Sequence, residues 1–278
     1  MAAIKISRYR LETERLPLGK SLRIALVSDL HGRVPAGLLE MLRAEAPDVI
    51  AVAGDLLEHY LPPDEKDDYH REIDAHSPPL SRLFVSLLRR VDSYFVGRRR
   101  KKASGEEENR AVLALLGEMA GIAPTYYAPG NHERKLCDGE RAAIAASGAR
   151  YLENEMTKAP FGAVGGTAVS PDGEMLRALS EASGVRVLLC HYPEYHARYL
   201  AAYDLDLVLS GHAHGGQIRL FGRGLFAPGQ GFFPKRSGGL YGRHAVGRGL
   251  ANTTRIPRLF NPLDLPIVTL EGIAPPEM

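Results

Sequence analysis

The chain has 278 residues, 45% hydrophobic and 24% charged, with a formal net charge of +2, which describes a globular, soluble protein with ample length for a sizeable core. Two cysteines, Cys137 and Cys190, exclude a disulfide framework and a cysteine-based zinc site, and the small net charge gives no reason to expect a nucleic-acid partner. No apolar run approaches the ~20 residues of a bilayer span, and Met1 to Leu16 alternates charged with single apolar residues where a secretion signal would need a continuous apolar core, so a cytoplasmic protein is expected.

Taken in order, strand and helix patterns alternate. Ile4 to Leu16 reads as an edge strand closed by the turn Pro17-Leu18-Gly19, and Arg23 to Ser28 as a short strand buried on both faces. Ala36 to Ala44 has helical spacing, with Leu38, Leu39 and Leu42 on one side, and stops at Pro47. Asp48 to Ala53 is the next buried strand. A helix over 109–121 presents Leu113, Leu116 and Met119, and Thr125 to Ala128 is a strand leading to Pro129-Gly130. Gly139 to Ala146 is helical, Phe161 to Val169 a glycine-broken strand, and Asp172 to Ser183 a helix ended by Gly184. Val185 to Cys190 and Leu205 to Leu209 are strands flanking a short helix near Glu194 to Ala201. Residues 217–240 are dense in Gly, Phe and Pro, with strand-like pieces at 217–221 and 240–241, and Pro266 to Leu270 is the last strand. The alternation predicts an α/β protein whose sites gather outside the carboxyl ends of its strands.

One stretch departs from this pattern. After a polar, proline-bearing segment, Leu80 to Val96 carries Leu80, Phe84, Leu87, Leu88, Val91 and Phe95 at helical spacing, and the basic run Arg98 to Lys102 follows. We read one domain over 1–278 with a helical, basic insertion at about 59–107 that folds over the active face as a lid.

Five strand ends carry the chemistry. Val27-Ser28 is followed by Asp29-Leu30-His31, Val52-Ala53 by Gly54-Asp55, and Ala128-Pro129 by Gly130-Asn131-His132-Glu133. Leu188-Leu189-Cys190 is followed by His191, and Leu207 to Ser210 by Gly211-His212-Ala213-His214. Asp29, His31, Asp55, Asn131, His191, His212 and His214 thus form a mixed carboxylate, carboxamide and imidazole set. Such a set suits manganese, iron, zinc or cobalt better than magnesium or calcium, which prefer oxygen alone. Seven ligands are too many for one catalytic ion with an open position and suit two divalent transition-metal ions sharing a carboxylate.

In this order the blocks D-x-H, G-D, G-N-H-[DE], H and G-H-x-H resemble the calcineurin-like metallophosphoesterase superfamily over roughly residues 22 to 270. Gly211 to Gln217, Ala227-Pro228 and Gly239-Leu240-Tyr241 are most similar to its YkuE/YaeI-like bacterial branch. The resemblance implies a four-layer sandwich with two central mixed β-sheets flanked by helices. It places one metal on Asp29, His31, Asp55 and His214 and the second on Asp55, Asn131, His191 and His212, with Asp55 bridging. It implies hydrolysis of a phosphate monoester, diester or pyrophosphate by in-line attack of a metal-bridging hydroxide. His132 would be catalytic rather than a ligand, stabilising the transition state or protonating the leaving oxygen.

The amphipathic helix and basic run also fit a membrane surface, so a peripheral membrane phosphoesterase acting on lipid-linked phosphate is the alternative. A non-catalytic scaffold on the same fold is a weaker one, because the ligand set is complete. His59, His70, His76, His196 and His244 read as surface or loop residues, and Arg248 and Arg258 as solvated arginines with phosphate binding as the second reading.

Overall fold

Strands apolar at every position must be covered on both faces. In the computed structural model, which describes residues 3–59, 105–227, 229–252 and 257–274, that requirement is met by two six-stranded sheets. The first contains β1 (Ile4–Thr13), β2 (Ser21–Val27), β3 (Val49–Ala53), β4 (Thr125–Ala128), β5 (Arg150–Tyr151) and β16 (Leu263–Gly272), in the order β1-β16-β2-β3-β4-β5. The second contains β6 (Glu155–Ala159), β7 (Gly162–Gly166), β8 (Val185–Leu189), β9 (Leu207–Ser210), β14 (Gly239–Tyr241) and β15 (His244–Val246), in the order β14-β15-β9-β8-β7-β6. Both are mixed. β2 to β5 run parallel while β16 is antiparallel to β2, and β7, β8, β9 and β15 run parallel while β6 and β14 are antiparallel to their neighbours. Two small hairpins, β10 (Arg219–Leu220) with β11 (Arg223–Gly224) and β12 (Phe226–Ala227) with β13 (Gly231–Phe232), lie outside the sheets.

Alternate residues along each strand serve different cores. Ile24, Leu26, Ala51 and Ala53 of the first sheet share one cluster with Val164, Val187, Leu189 and Leu209 of the second, so the sheets pack against each other. Ala25, Val27, Ile50 and Val52 point the other way, onto helices α1 (Leu38–Glu45), α2 (Gly105–Ala120) and α3 (Asp138–Ala146) through Leu42, Met119 and Ile144. Ala163, Leu188 and Val208 pack on α4 (Gly173–Glu181) through Met175, Leu176 and Leu179. Asp172 caps α4, accepting the N–H of Glu174 at 2.9 Å.

Several expected elements shift. The stretch 161–169 is one member of a hairpin, β6–β7, whose outer strand is polar and half exposed and so has no buried-strand signature. The short helix near Glu194 is a single turn at His196–Leu200. β16 begins three residues before Pro266, and pairing with β2 starts only at Ile267, so the missing proline N–H falls outside that ladder. The helix 80–96 and the basic run lie outside the described residues. At the insertion's expected edges, α2 already begins at Gly105, and His59 belongs to the site below.

The amino ends of the sheets are tied by one buried carboxylate. Asp206 accepts from Thr13 Oγ1 at 2.6 Å, Arg243 Nη1 at 3.0 Å, Arg15 Nη1 at 3.1 Å and the N–H of Arg186 at 2.9 Å. Asp206→Ala orphans these donors and should cost about 3 kcal/mol. The expected result is a lower urea midpoint with unchanged metal content.

Candidate metal centre

Asp29 and His31 follow β2, Asp55 follows β3, Asn131 and His132 follow β4, His191 follows β8, and His212 and His214 follow β9. Because these strands are parallel within each sheet, their carboxyl ends open on one edge, where the predicted aspartates and histidines gather and Asn131 leaves the end of β4. The backbone turns sharply to aim them. Asp29, His31, Asp55, His212 and His214 have φ between 46° and 64°, a left-handed conformation costing of order 1 kcal/mol for a residue with a side chain. Gly54 and Gly130 permit the close approach: a Cβ on Gly54 would lie 2.4 Å from His191 Nδ1, and one on Gly130 2.2 Å from Asp55 Oδ1.

The donor atoms fall into overlapping groups. Those of Asp29, His31 and His214 lie within 4.8 Å of one another, as do those of Asp55, His191 and His212, and those of His31, Asp55 and His132. His31 Nε2 is 3.3 Å from His214 Nε2 and 3.6 Å from Asp55 Oδ2, and His191 Nε2 is 3.2 Å from the same Asp55 oxygen. Backbone donors fix the carboxylates, with His132 N–H to Asp55 Oδ1 at 3.0 Å and His212 N–H to Asp29 Oδ1 at 2.9 Å. Glu133 is buried and accepts the N–H groups of Asp55, Leu57 and Gly130 at 2.9, 2.8 and 2.7 Å, clamping the β3 and β4 loops together.

A second ring of residues was not foreseen. Glu58, buried, bridges His31 Nδ1 at 2.9 Å and His132 Nδ1 at 3.1 Å, turning both Nε2 atoms inward. Asn109 of α2 accepts the Glu58 N–H at 2.9 Å and donates to Glu140 Oε1 at 2.9 Å. His59, expected at the surface, bonds that same Glu140 oxygen at 2.7 Å and the His132 carbonyl at 2.6 Å. Nothing in Leu56-Leu57-Glu58-His59 marks these roles, because the partners are 27 to 81 residues away. His244 is also a correction: it is buried, 2.8 Å from Ser210 Oγ and stacked on His196. Arg258 is half-buried, and its fork is taken up by backbone carbonyls. It donates to the carbonyls of Ala251 at 2.9 Å and His214 at 3.0 Å, and Asn261 donates to the latter at 2.8 Å. Cys190 is a buried thiol pushed up to about 11 by burial, as expected of a small core residue.

The electrostatics are those of buried charges compensating one another. Burial opposes ionisation of Asp55, but His191, His132 and His31 outweigh it and hold the carboxyl well below its ordinary range. Burial is likewise overcome at Glu58, held at about 2 by hydrogen bonds to His132 and His31. Burial disfavours a charged His132 or His191, yet Asp55 raises them to about 10 and about 9. Burial prevails at His212, well below its ordinary value, and at His214, lowered to about 4. Protons on His132 and His191 therefore supply positive charge beside Asp55 when no cation is bound. The residues fit a cation: Asp29 Oδ2 and Asn131 Oδ1 are buried without a hydrogen-bond partner, and the mixed oxygen and imidazole donors suit a divalent transition metal.

Comparison with known proteins agrees. A model of the calcineurin-like phosphoesterase family matches residues 22–216. The chain belongs to that family and is a metal-dependent phosphohydrolase. It is 28% identical over 224 residues to the "Uncharacterized protein YpbG" of Bacillus subtilis (strain 168), covering 78% of this chain and 71% of that one. It is 27% identical over 280 residues to an "Uncharacterized metallophosphoesterase" of Aquifex aeolicus (strain VF5), covering 97% of this chain and 92% of that one. Among the described residues no helix is long and apolar enough to cross a membrane.

Metal-free protein should be most stable near pH 6.5, the ordinary histidine value. Above it, the unfolded chain releases protons that folded His132 and His191 keep until about 10 and about 9, so stability declines as pH rises. Below it, the unfolded chain takes up protons that folded His212 and His214 refuse, so stability declines again. Thermal melts of chelated protein across this span check the profile. Added divalent metal should remove the His191 share of the alkaline decline, because ligation takes the place of that proton and requires a neutral imidazole.

Proposed function

We propose that the protein hydrolyses a phosphate ester with two divalent transition-metal ions, one held by Asp29, His31, Asp55 and His214 and the other by Asp55, Asn131, His191 and His212. The observation that carries this reading is the pair of donor groups, Asp29-His31-His214 and Asp55-His191-His212, drawn from two different sheets and lying side by side. When bound, such ions neutralise the transferring phosphoryl group and acidify an attacking water. The chain's own work is positioning and proton transfer. Glu58 holds His132 at Nδ1 and Glu140, through His59, holds its carbonyl, leaving Nε2 to face the Asp55 carboxylate 4.0 Å away. A protonated His132 then gives its Nε2 proton to the leaving oxygen, a service worth roughly 10²–10⁴-fold for an alkoxide. The His132 pKa of about 10 would fall toward the range where a general acid works best once the neighbouring donor groups held ions. A hollow of about 250 Å³ lined by Pro129, Gly130, Arg134, Glu153 and Asn154 starts one residue before Asn131 and offers room for the organic part of the substrate.

Elemental analysis should find two ions per chain, and a chelator should abolish hydrolysis of aryl phosphate esters. Asp55→Asn should be the most damaging ligand change, since it weakens both ions. One ion per chain with full activity would sink the two-metal assignment.

His132→Ala should keep its metal and lose roughly 10²-fold or more in kcat on an alkyl ester, but much less on an activated aryl ester, whose leaving group departs without a proton. Equal losses on both substrates, or loss of metal, would count against proton donation by His132.

A further inference from the structure

We propose that the hairpins following His214, together with Leu259–Phe260, form a docking surface for an anionic lipid bilayer. Phe221 is 105% exposed, Phe260 81% and Phe233 62%, with Leu220, Leu259 and Phe232 also exposed. Phe221 and Gly222 form a two-residue turn between β10 and β11, with φ of 50° and 79°. That turn favours Asn or Gly at its first position, so a phenylalanine there carries a backbone cost. Phe233 and Phe260 share this conformation, at 52° and 54°. Three strained, solvent-facing rings gain nothing for the fold.

The rings belong to one braced module. Ile218 bridges Leu259, the Arg219 N–H donates to the Leu259 carbonyl at 3.0 Å, and Leu220, Phe221 and Phe260 line a common hollow of about 350 Å³. The Phe233 N–H donates to the Leu225 carbonyl at 2.9 Å, joining the second hairpin to the first. Beneath them the buried Arg219 donates to Gly215 O at 3.0 Å and Ser237 Oγ at 3.2 Å.

Charge selects the partner. Between Asp206 and Asp264 the sequence carries seven arginines, one lysine and no carboxylate. Arg243 and Arg248 face Asp206 and Asp264, and Arg219 and Arg258 are spent on carbonyls, whereas Arg223 and Lys235 are exposed, two residues after Phe221 and Phe233. The two hairpin tips, Phe221 and Phe233, thus each have their own cation, while Phe260 joins Phe221 at the shared hollow. Rings beside cations match hydrocarbon beneath anionic headgroups. A symmetric second copy would oppose these cations with themselves, and a nucleic acid would use the cations but leave Leu220 and Leu259 in water. Because His214 begins the same segment, docking would hold the proposed metal centre at the bilayer boundary. The proposal concerns binding and stands apart from the phosphoesterase reading.

The test is sedimentation of the full chain with vesicles of phosphatidylcholine alone or mixed with phosphatidylglycerol. Wild type should pellet with the mixed vesicles at low salt and less at high salt, as screening removes the ionic share. Phe221→Ser with Phe260→Ser should lower the partition coefficient roughly 100-fold, about tenfold for each ring. Arg223→Gln with Lys235→Gln should lower it roughly tenfold or more on anionic vesicles only. Both pairs should keep the wild-type melting temperature and the hydrolysis rate of a soluble aryl ester. The idea is overturned if wild type stays in the supernatant, or if the phenylalanine pair pellets like wild type. It is equally overturned if single-stranded DNA rather than vesicles is bound, or if light scattering shows that the pair merely breaks a dimer.

Discussion

A carboxylate that is buried has to be neutralised where it stands, and the molecule answers that demand at Asp55. The side chain sits at the carboxyl end of a strand with no solvent-facing alternative. Three imidazoles, from the ends of β2, β4 and β8, approach it within 3.2 to 4.0 Å, and the His132 N–H fixes its other oxygen. To bring those groups so close, both flanking loops give up side chains at Gly54 and Gly130, and Glu133 ties the loops by three backbone N–H groups. Removing water raises the cost of any unmatched charge, so burial obliges the charges gathered around Asp55 to balance one another.

The sheets separate stability from chemistry. Parallel strands present all their carboxyl ends on one edge, where the donor groups collect. At the opposite ends, Asp206 binds the end of β1 to the starts of β8 and β9. Left-handed backbone at five donor residues is tolerated because each follows a strand held on both sides by its ladder. The segment after His214 repeats the arrangement outward: Arg258 and Asn261 hold the His214 carbonyl from one side, and exposed hairpins extend from the other.

The elements legible in the sequence were those with a local physical signature. Continuous apolar runs predicted β2, β3, β4 and β8 to within two residues, because burial on both faces writes itself into consecutive positions. β6, with alternating polar residues, and the three-residue β15 left no such mark; their pairing energy comes from neighbours distant in sequence. Both are made by context.

The candidate donor residues were legible in the sequence alone, since each stands at the end of an apolar run and its chemistry is that of its own side chain. Tertiary structure decided what surrounds them. Glu58, His59, Asn109 and Glu140 are unremarkable in the chain and become a connected support only when α2 and α3 are packed against the first sheet. His244, which sequence reading left at the surface or in a loop, is buried, the half-buried Arg258 spends its fork on carbonyls, and exposed Phe221 and Phe260 are brought side by side by the bridge at Ile218. The physical reason is range. Ligand chemistry and strand burial act within a few residues, whereas hydrogen-bond partners, charge compensation and exposure depend on which distant segments the fold makes neighbours.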